Sequence, residues 1–202
     1  MPIRTMTENV LPFRRPEQRS LSDEALILAC ASGDGQALEE LFHRHGGQAH
    51  RVLSRLGHID REDLEDVVQT TFLEVYRSAK RFNGRSAVNT WILGIAMNVA
   101  RHHVRGEARR RSAMSAVARM SPPSAGRGPD EAASHRESLE RLQIGFEALP
   151  YDFRIVFLLC DLEGLRGTDV ARALKVPEGT VWRRLHEARM RLRAVVNQEG
   201  SR

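Results

Sequence analysis

An all-α fold of two small helical domains joined by a flexible linker is what this sequence predicts, and three observations predict it. Apolar residues recur at helical spacing through most of the chain, and no alternating strand pattern of useful length occurs. A Pro/Ser/Gly-rich stretch holding Pro122, Pro123, Ser124, Gly126, Gly128 and Pro129 separates two such helical regions. The second region closes on a helix, tight turn, helix pattern between Thr168 and Arg193. The expected division is a tail over residues 1–20, a helical domain over 21–111, a linker over 112–135 and a helix-turn-helix domain over 136–198.

The tail carries Pro2, Pro12 and Pro16 among polar and basic residues without periodicity. Ser22 then suits an N-cap, with Asp23 and Glu24 in the first turn, and Leu26, Ala29, Leu38, Leu41 and Phe42 follow at helical spacing, interrupted around Gly33 and Gly35. Gly46-Gly47 and Gly57 are expected to punctuate what comes next. Asp60 suits a further N-cap, with Ile59 placed to staple against Leu64. Leu64, Val67, Val68, Thr71, Phe72, Val75 and Tyr76 make a long buried stripe. The opposite face of that helix carries Glu62, Asp63, Asp66, Gln69, Thr70 and an isolated apolar Leu73, a pattern that a solvated face also shows.

Arg81 to Ser86 reads as a loop with a turn-prone Asn83-Gly84 pair. A second long helix follows, with Val88, Ile92, Ile95 and Val99 toward the core and Trp91, Gly94 and Asn98 on a neighbouring strip. Trp91 is expected to be core, and the helix runs into Arg101, Arg105, Arg109, Arg110 and Arg111. After the linker, Leu139, Leu142, Phe146 and Leu149 predict a helix closed by Pro150. Phe153, Val156, Phe157 and Cys160 predict another that ends near Gly164.

In the last motif Thr168 suits a cap, Val170, Ala171 and Leu174 recur at helical spacing, and Lys175-Val176-Pro177 breaks the first helix. Val181, Leu185, Ala188, Leu192 and Val195 form one stripe of the second, leaving Trp182, Arg183, His186, Arg189 and Arg193 facing outward. Those residue types reach base edges and phosphates. A surface helix with solvated arginines is the plainer alternative.

Composition narrows the class. The chain has 202 residues, 41% of them hydrophobic and 28% charged, with a net charge of +5, which suits a globular protein with a polyanionic partner. Its two cysteines, Cys30 and Cys160, lie far apart in apolar helical contexts, so neither a disulfide framework nor a metal cluster is suggested and a reducing cytoplasm is expected. No apolar run is long enough to span a bilayer and the amino terminus lacks a signal-peptide core, so neither export nor membrane insertion is expected.

Across residues 22 to 196 the chain resembles the extracytoplasmic-function sigma factors of bacterial RNA polymerase. Asp63-Leu64-Glu65-Asp66-Val67-Val68-Gln69-Thr70-Thr71-Phe72 is similar to the family's polymerase-binding helix, Phe82 through Trp91 to Asn98 to its promoter-melting segment, and Leu149-Pro150 with Gly179-Thr180-Val181 to its carboxy-terminal domain. Their order and spacing together carry the likeness. The resemblance implies contact with core polymerase through Asp66, Gln69, Thr70 and Leu73. It implies minus-ten DNA contacts through Phe82, Asn83, Arg85, Ile95, Asn98, Arg101 and Arg105, an extruded base needing an apolar wall and an amide. It implies minus-thirty-five contacts through Thr180, Trp182, Arg183, Arg184, His186 and Arg189. Trp182 and Glu187 depart from the family's usual recognition helix, which puts the preferred bases in doubt. It implies as partners bacterial core RNA polymerase, promoter DNA and an anti-sigma factor, and a cytoplasmic location, associated with the nucleoid when active. No cofactor or metal is expected.

Two rivals stand beside this reading. His43, His45, His50, His102 and His103 raise a metal-dependent nuclease, but His43 and His45 point to different sides of a helix and no His-Glu-x-x-His arrangement occurs, so no catalysis is expected. A stand-alone helix-turn-helix regulator is the other, and it leaves the Gln69 helix, the Phe82 loop and the linker without a role.

Overall fold

The computed structural model describes residues 21–115 and 141–197, and the described residues contain helices and no strand. In chain order these are α1 (Asp23–Ala31), α2 (Gly35–Leu56), α3 (Leu64–Ser78) with a 3-10 turn over Ala79–Arg81, and α4 (Val88–Ser115). Residues 141–147 form α5, and then come α6 (Tyr151–Phe157), running into a π turn over Leu158–Leu162, α7 (Gly167–Leu174) and α8 (Glu178–Asn197). Leu139 and the Pro/Ser/Gly stretch lie outside the described residues.

Local signals set most boundaries. The Ser22 hydroxyl accepts from the Ala25 amide at 3.2 Å and so caps α1. The Asp34 carboxylate accepts from the Gln36 and Ala37 amides at 2.8 and 3.3 Å, a cap that sequence reading missed. Gly57 ends α2 at φ 73°, where a side chain would strain the backbone.

Four expectations need correction. Gly46-Gly47 does not break the chain, because α2 runs through both and the Phe42 ring packs over Gly46, where an added Cβ would lie 3.5 Å from it, at van der Waals contact. Asp60 only opens a turn, its carbonyl accepting from the Asp63 amide at 3.0 Å; Asp63 takes the N-cap position. Thr168 is not the cap of α7, which begins one residue earlier after Arg166. And α4 continues to Ser115, into what was expected to be linker.

Among the described residues one large buried cluster runs from α1 to α8, with a smaller one of Leu149, Ala188 and Leu192 beside it. Leu41, Val52, Leu53 and Leu56 of α2, Phe72 and Val75 of α3, and Ile92, Leu93, Ala96 and Met97 of α4 are all buried. The same cluster extends through Ile155, Val156, Leu158 and Leu159 to Val170, Leu174, Val181 and Leu185. Helix α7 lies directly on α4. A Cβ added at Gly94 would fall 2.7 Å from that of Ala173, so only glycine permits this approach. Arg154, 2% exposed, seals the same boundary by donating from Nη1 to the Leu56 carbonyl at 3.1 Å, under the Tyr151 ring at 5.5 Å.

Candidate nucleic-acid interface

Helix α3 buries Leu64, Val67, Val68, Thr71, Phe72 and Val75, which turns Asp66, Gln69, Thr70 and Leu73 outward. Leu73 is half exposed, as is Phe42 of α2, whose ring meets Phe72 edge-on at 4.9 Å. Between α2 and α3 these residues line a shallow depression of about 330 Å³ with Gly35, Leu38 and Gln69. An apolar dent rimmed by an amide and a carboxylate is what a protein partner can grip.

The second feature is a cavity of about 560 Å³ beside the loop after α3. Asn83, Arg85, Trp91, Ile95 and Asn98 line it, and Arg172 and Ala173 of α7 with Lys175 just after it close its far side. Trp91 and Ile95 are therefore only partly core: Trp91 packs on Phe82 with ring centroids 5.1 Å apart and turns its remaining surface to the cavity. Phe82 stands behind the wall. The Asn83 side chain accepts from the Arg85 amide at 3.2 Å, fixing the turn, and Asn98 Oδ1 accepts from Arg101 Nη1 at 3.1 Å. Aromatic surface, amides and cations together match a nucleotide. Helix α7 covers it, with Arg172 Nη1 donating to the Arg85 carbonyl at 3.1 Å.

Helix α4 presents Arg101 half-buried and Arg105 exposed. Arg101 Nη2 donates to Asp152 Oδ1 at 2.8 Å, and Arg184 Nη2, from α8, donates to Asp152 Oδ2 at the same distance. Arg105 and Arg183 line the surrounding cleft of about 380 Å³. One carboxylate thus sits among four arginines drawn from both predicted DNA-reading helices.

On α8, Val181, Leu185, Ala188 and Leu192 are buried as the stripe predicts, while Trp182, Arg183, His186 and Arg189 are exposed. Thr180 lies in the first turn, its amide bonded to the Pro177 carbonyl at 2.9 Å. Trp182 has two attachments: its Nε1 donates to Glu178 at 3.0 Å and its ring presses on Gly167, where an added Cβ would come within 2.7 Å. Glu187 ties down Arg191 at 2.9 Å, and Arg189 donates from Nε to Asp161 at 2.8 Å. The Asp161 carboxylate raises the Arg189 pKa above its ordinary value.

The histidines do not assemble into the nuclease site considered above. His45 pairs with Asp23 at 2.7 Å, and His43 lies 3.8 Å from Glu39 on the surface. Asp63, His103 and Glu107 do converge, all within 4.8 Å. Sequence reading missed that cluster, along with Asp152 and Arg154, and it read Asp169 only as an acidic residue in the first turn of α7, without its arginine partners. Asp169, 5% exposed, binds Arg166 at 2.7 Å and Arg172 at 2.8 Å. A carboxylate between two arginines three residues away on either side was the available signal for it.

Comparison with known proteins identifies the family of the chain. Residues 41–110 match the family Sigma-70 region 2 and residues 141–192 match Sigma-70, region 4. The chain is 33% identical over 176 residues to the ECF RNA polymerase sigma-E factor of Haemophilus influenzae, covering 84% of this chain and 92% of that one. The protein of the same name from Escherichia coli is 32% identical over 176 residues, covering 84% and 91%. Among solved structures, CnrH in complex with the cytosolic domain of CnrY shares the fold at a TM-score of 0.62 and 24% identity, covering 87% of this chain and 97% of that one. RpoE in complex with the anti-sigma factor NepR from Bartonella quintana does so at 0.59 and 19%, covering 79% and 96%.

Proposed function

This chain belongs to the extracytoplasmic-function sigma factors of bacterial RNA polymerase, and from that membership we propose how its residues divide the work of promoter recognition. Helix α3 docks on core polymerase through Asp66, Gln69, Thr70 and Leu73, which share one exposed face beside the Phe42 depression. The cavity lined by Asn83, Arg85, Ile95 and Asn98, backed by Phe82, takes a flipped base of the minus-ten strand, and Arg101 and Arg105 follow its phosphates. Helix α8 reads the minus-thirty-five element with Trp182, Arg183, His186 and Arg189, with Thr180 at its start and Arg184 on the phosphates. The division into a tail over 1–20, a polymerase and minus-ten unit over 21–111, a linker over 112–135 whose first residues continue α4 to Ser115, and a minus-thirty-five unit over 136–198 belongs to the same reading. The chain performs no chemistry; binding the separated strand offsets the cost of unpairing. It acts in the cytoplasm with the polymerase, and among the described residues no helix is long and apolar enough to cross a membrane.

The observation that carries this reading is the wall of Trp91, Ile95 and Asn98 on α4 beside the Asn83 loop, one helix away from an independent polar face on α3. The stand-alone regulator leaves both features idle. The packed arrangement is a resting form: elements centred at minus ten and minus thirty-five lie roughly 80 Å apart along B-DNA at about 3.4 Å per base pair, whereas Arg101 and Arg184 share one carboxylate. Binding to a promoter separates α6 to α8 from α4. RpoE is seen in complex with the anti-sigma factor NepR, and an anti-sigma factor of this chain's own holds it away from polymerase until a signal arrives.

Co-purification with core polymerase tests the docking face. Asp66→Arg with Gln69→Ala abolishes assembly while leaving the helical content unchanged; assembly at the wild-type level removes the assignment.

A further inference from the structure

We propose that Asp63, His103 and Glu107 form a binding site for a divalent transition-metal ion, zinc first, that fastens the start of α3 to the middle of α4. The site lies outside both promoter-reading surfaces and does not depend on the roles assigned to them.

Three observations carry it. His103 and Glu107 are four residues apart on α4, so they share one face, and Asp63 approaches from the start of α3, bringing three ligand atoms within 4.8 Å of one another. An aspartate at an N-cap ordinarily accepts from amides of the first helical turn; Asp63 occupies that position and makes no such bond. Its Oδ2 instead lies 3.3 Å from His103 Nε2. That ring nitrogen is buried, makes no hydrogen bond, and stands within 4.8 Å of both carboxylates.

The spacing suits coordination. Ligands about 2.0–2.2 Å from a tetrahedral zinc stand roughly 3.3–3.6 Å apart along each edge, and the Asp63 to His103 separation of 3.3 Å falls at that value. Glu107 reaches the third corner by a side-chain rotation that releases its ion pair with exposed Arg110. One imidazole and two carboxylates select borderline to hard divalent ions, with water completing the shell. Occupation gives the buried His103 Nε2 the partner it lacks, so the ion adds to folding stability.

The test is titration of the metal-depleted full chain with zinc chloride, followed by calorimetry and thermal melting, with cobalt as a spectroscopic stand-in. Expected are one zinc per chain, a raised melting temperature, and a cobalt visible spectrum of tetrahedral intensity. His103→Ala and Glu107→Gln each lose zinc binding, at least tenfold in affinity, while His102→Ala next door keeps it. Glu107→Gln is the safeguard against misfolding, because it keeps shape and removes only charge. Absence of stoichiometric zinc binding in the wild type, or binding that survives both His103→Ala and Glu107→Gln, overturns the proposal.

Discussion

Arg101 of α4 and Arg184 of α8 are held by opposite oxygens of Asp152, each at 2.8 Å. A carboxylate between two guanidinium groups does for them what a DNA phosphate does, so in the resting form we propose Asp152 occupies the two arginines assigned to the promoter. These groups are partly exposed, and the bridge is correspondingly modest in energy; its importance is its position.

Asp152→Ala therefore loosens the two halves and frees both arginines. Duplex-DNA affinity of the free chain at low salt rises about tenfold. Gly94→Leu reaches the same end without a change of charge, since any side chain there collides with Ala173. Fluorescence anisotropy with labelled duplex reads both; unchanged affinity in the pair of variants contradicts the resting-form reading.

Asn98→Ala removes the amide from the cavity wall while leaving the α3 face alone. Open-complex formation falls at least tenfold, and affinity for core polymerase stays within twofold of wild type. Permanganate reactivity of unpaired thymines beside a polymerase-binding assay separates the two, and parallel losses in both count against the pocket.

Arg154 has no ion-pair partner among the described residues, and burial lowers its pKa below the ordinary arginine value. Arg154→Ala leaves a cavity and an orphaned Leu56 carbonyl, and costs about 2–4 kcal/mol. Arg154→Met costs less than half of that, because it fills the space and removes an uncompensated charge. Urea unfolding measures both. Equal losses show that the guanidinium itself, rather than its bulk, supports the boundary.

Burial pushes the Tyr151 hydroxyl up to about 12 and the Cys160 thiol up to about 11, from ordinary values of 10.0 and 9.0. For both, the folded state keeps its proton where the unfolded chain has lost it. Stability is then unaffected by these groups below pH 9 and falls as pH rises from about 9 to 12. Chemical denaturation across that range checks the sign, and a midpoint that rises with pH contradicts it.

The elements legible in the sequence are those set by local rules. Ser22, Gly57 and the stripe from Leu64 to Val75 follow from capping, a left-handed turn and periodicity, and all three appear in the fold. Gly46-Gly47 misled because the Phe42 ring, four residues away, supplies the packing that glycine lacks. Asp152 and Arg154 are two residues apart on one short helix, yet one bridges a surface cleft and the other enters the core. Their neighbours in sequence are alike, and only the approach of α4 and α2 tells them apart. The Asp63, His103 and Glu107 cluster was hidden for the same reason, since its members come from two helices whose register no local pattern records.

The central claim is promoter-directed initiation, and transcription from a promoter library by bacterial core polymerase, with and without this chain, tests it most directly. New transcripts that start only in its presence, downstream of paired minus-thirty-five and minus-ten elements, and that Asn98→Ala suppresses, are the result expected. A chain that binds core polymerase yet yields no dependent start sites from any library member contradicts the account.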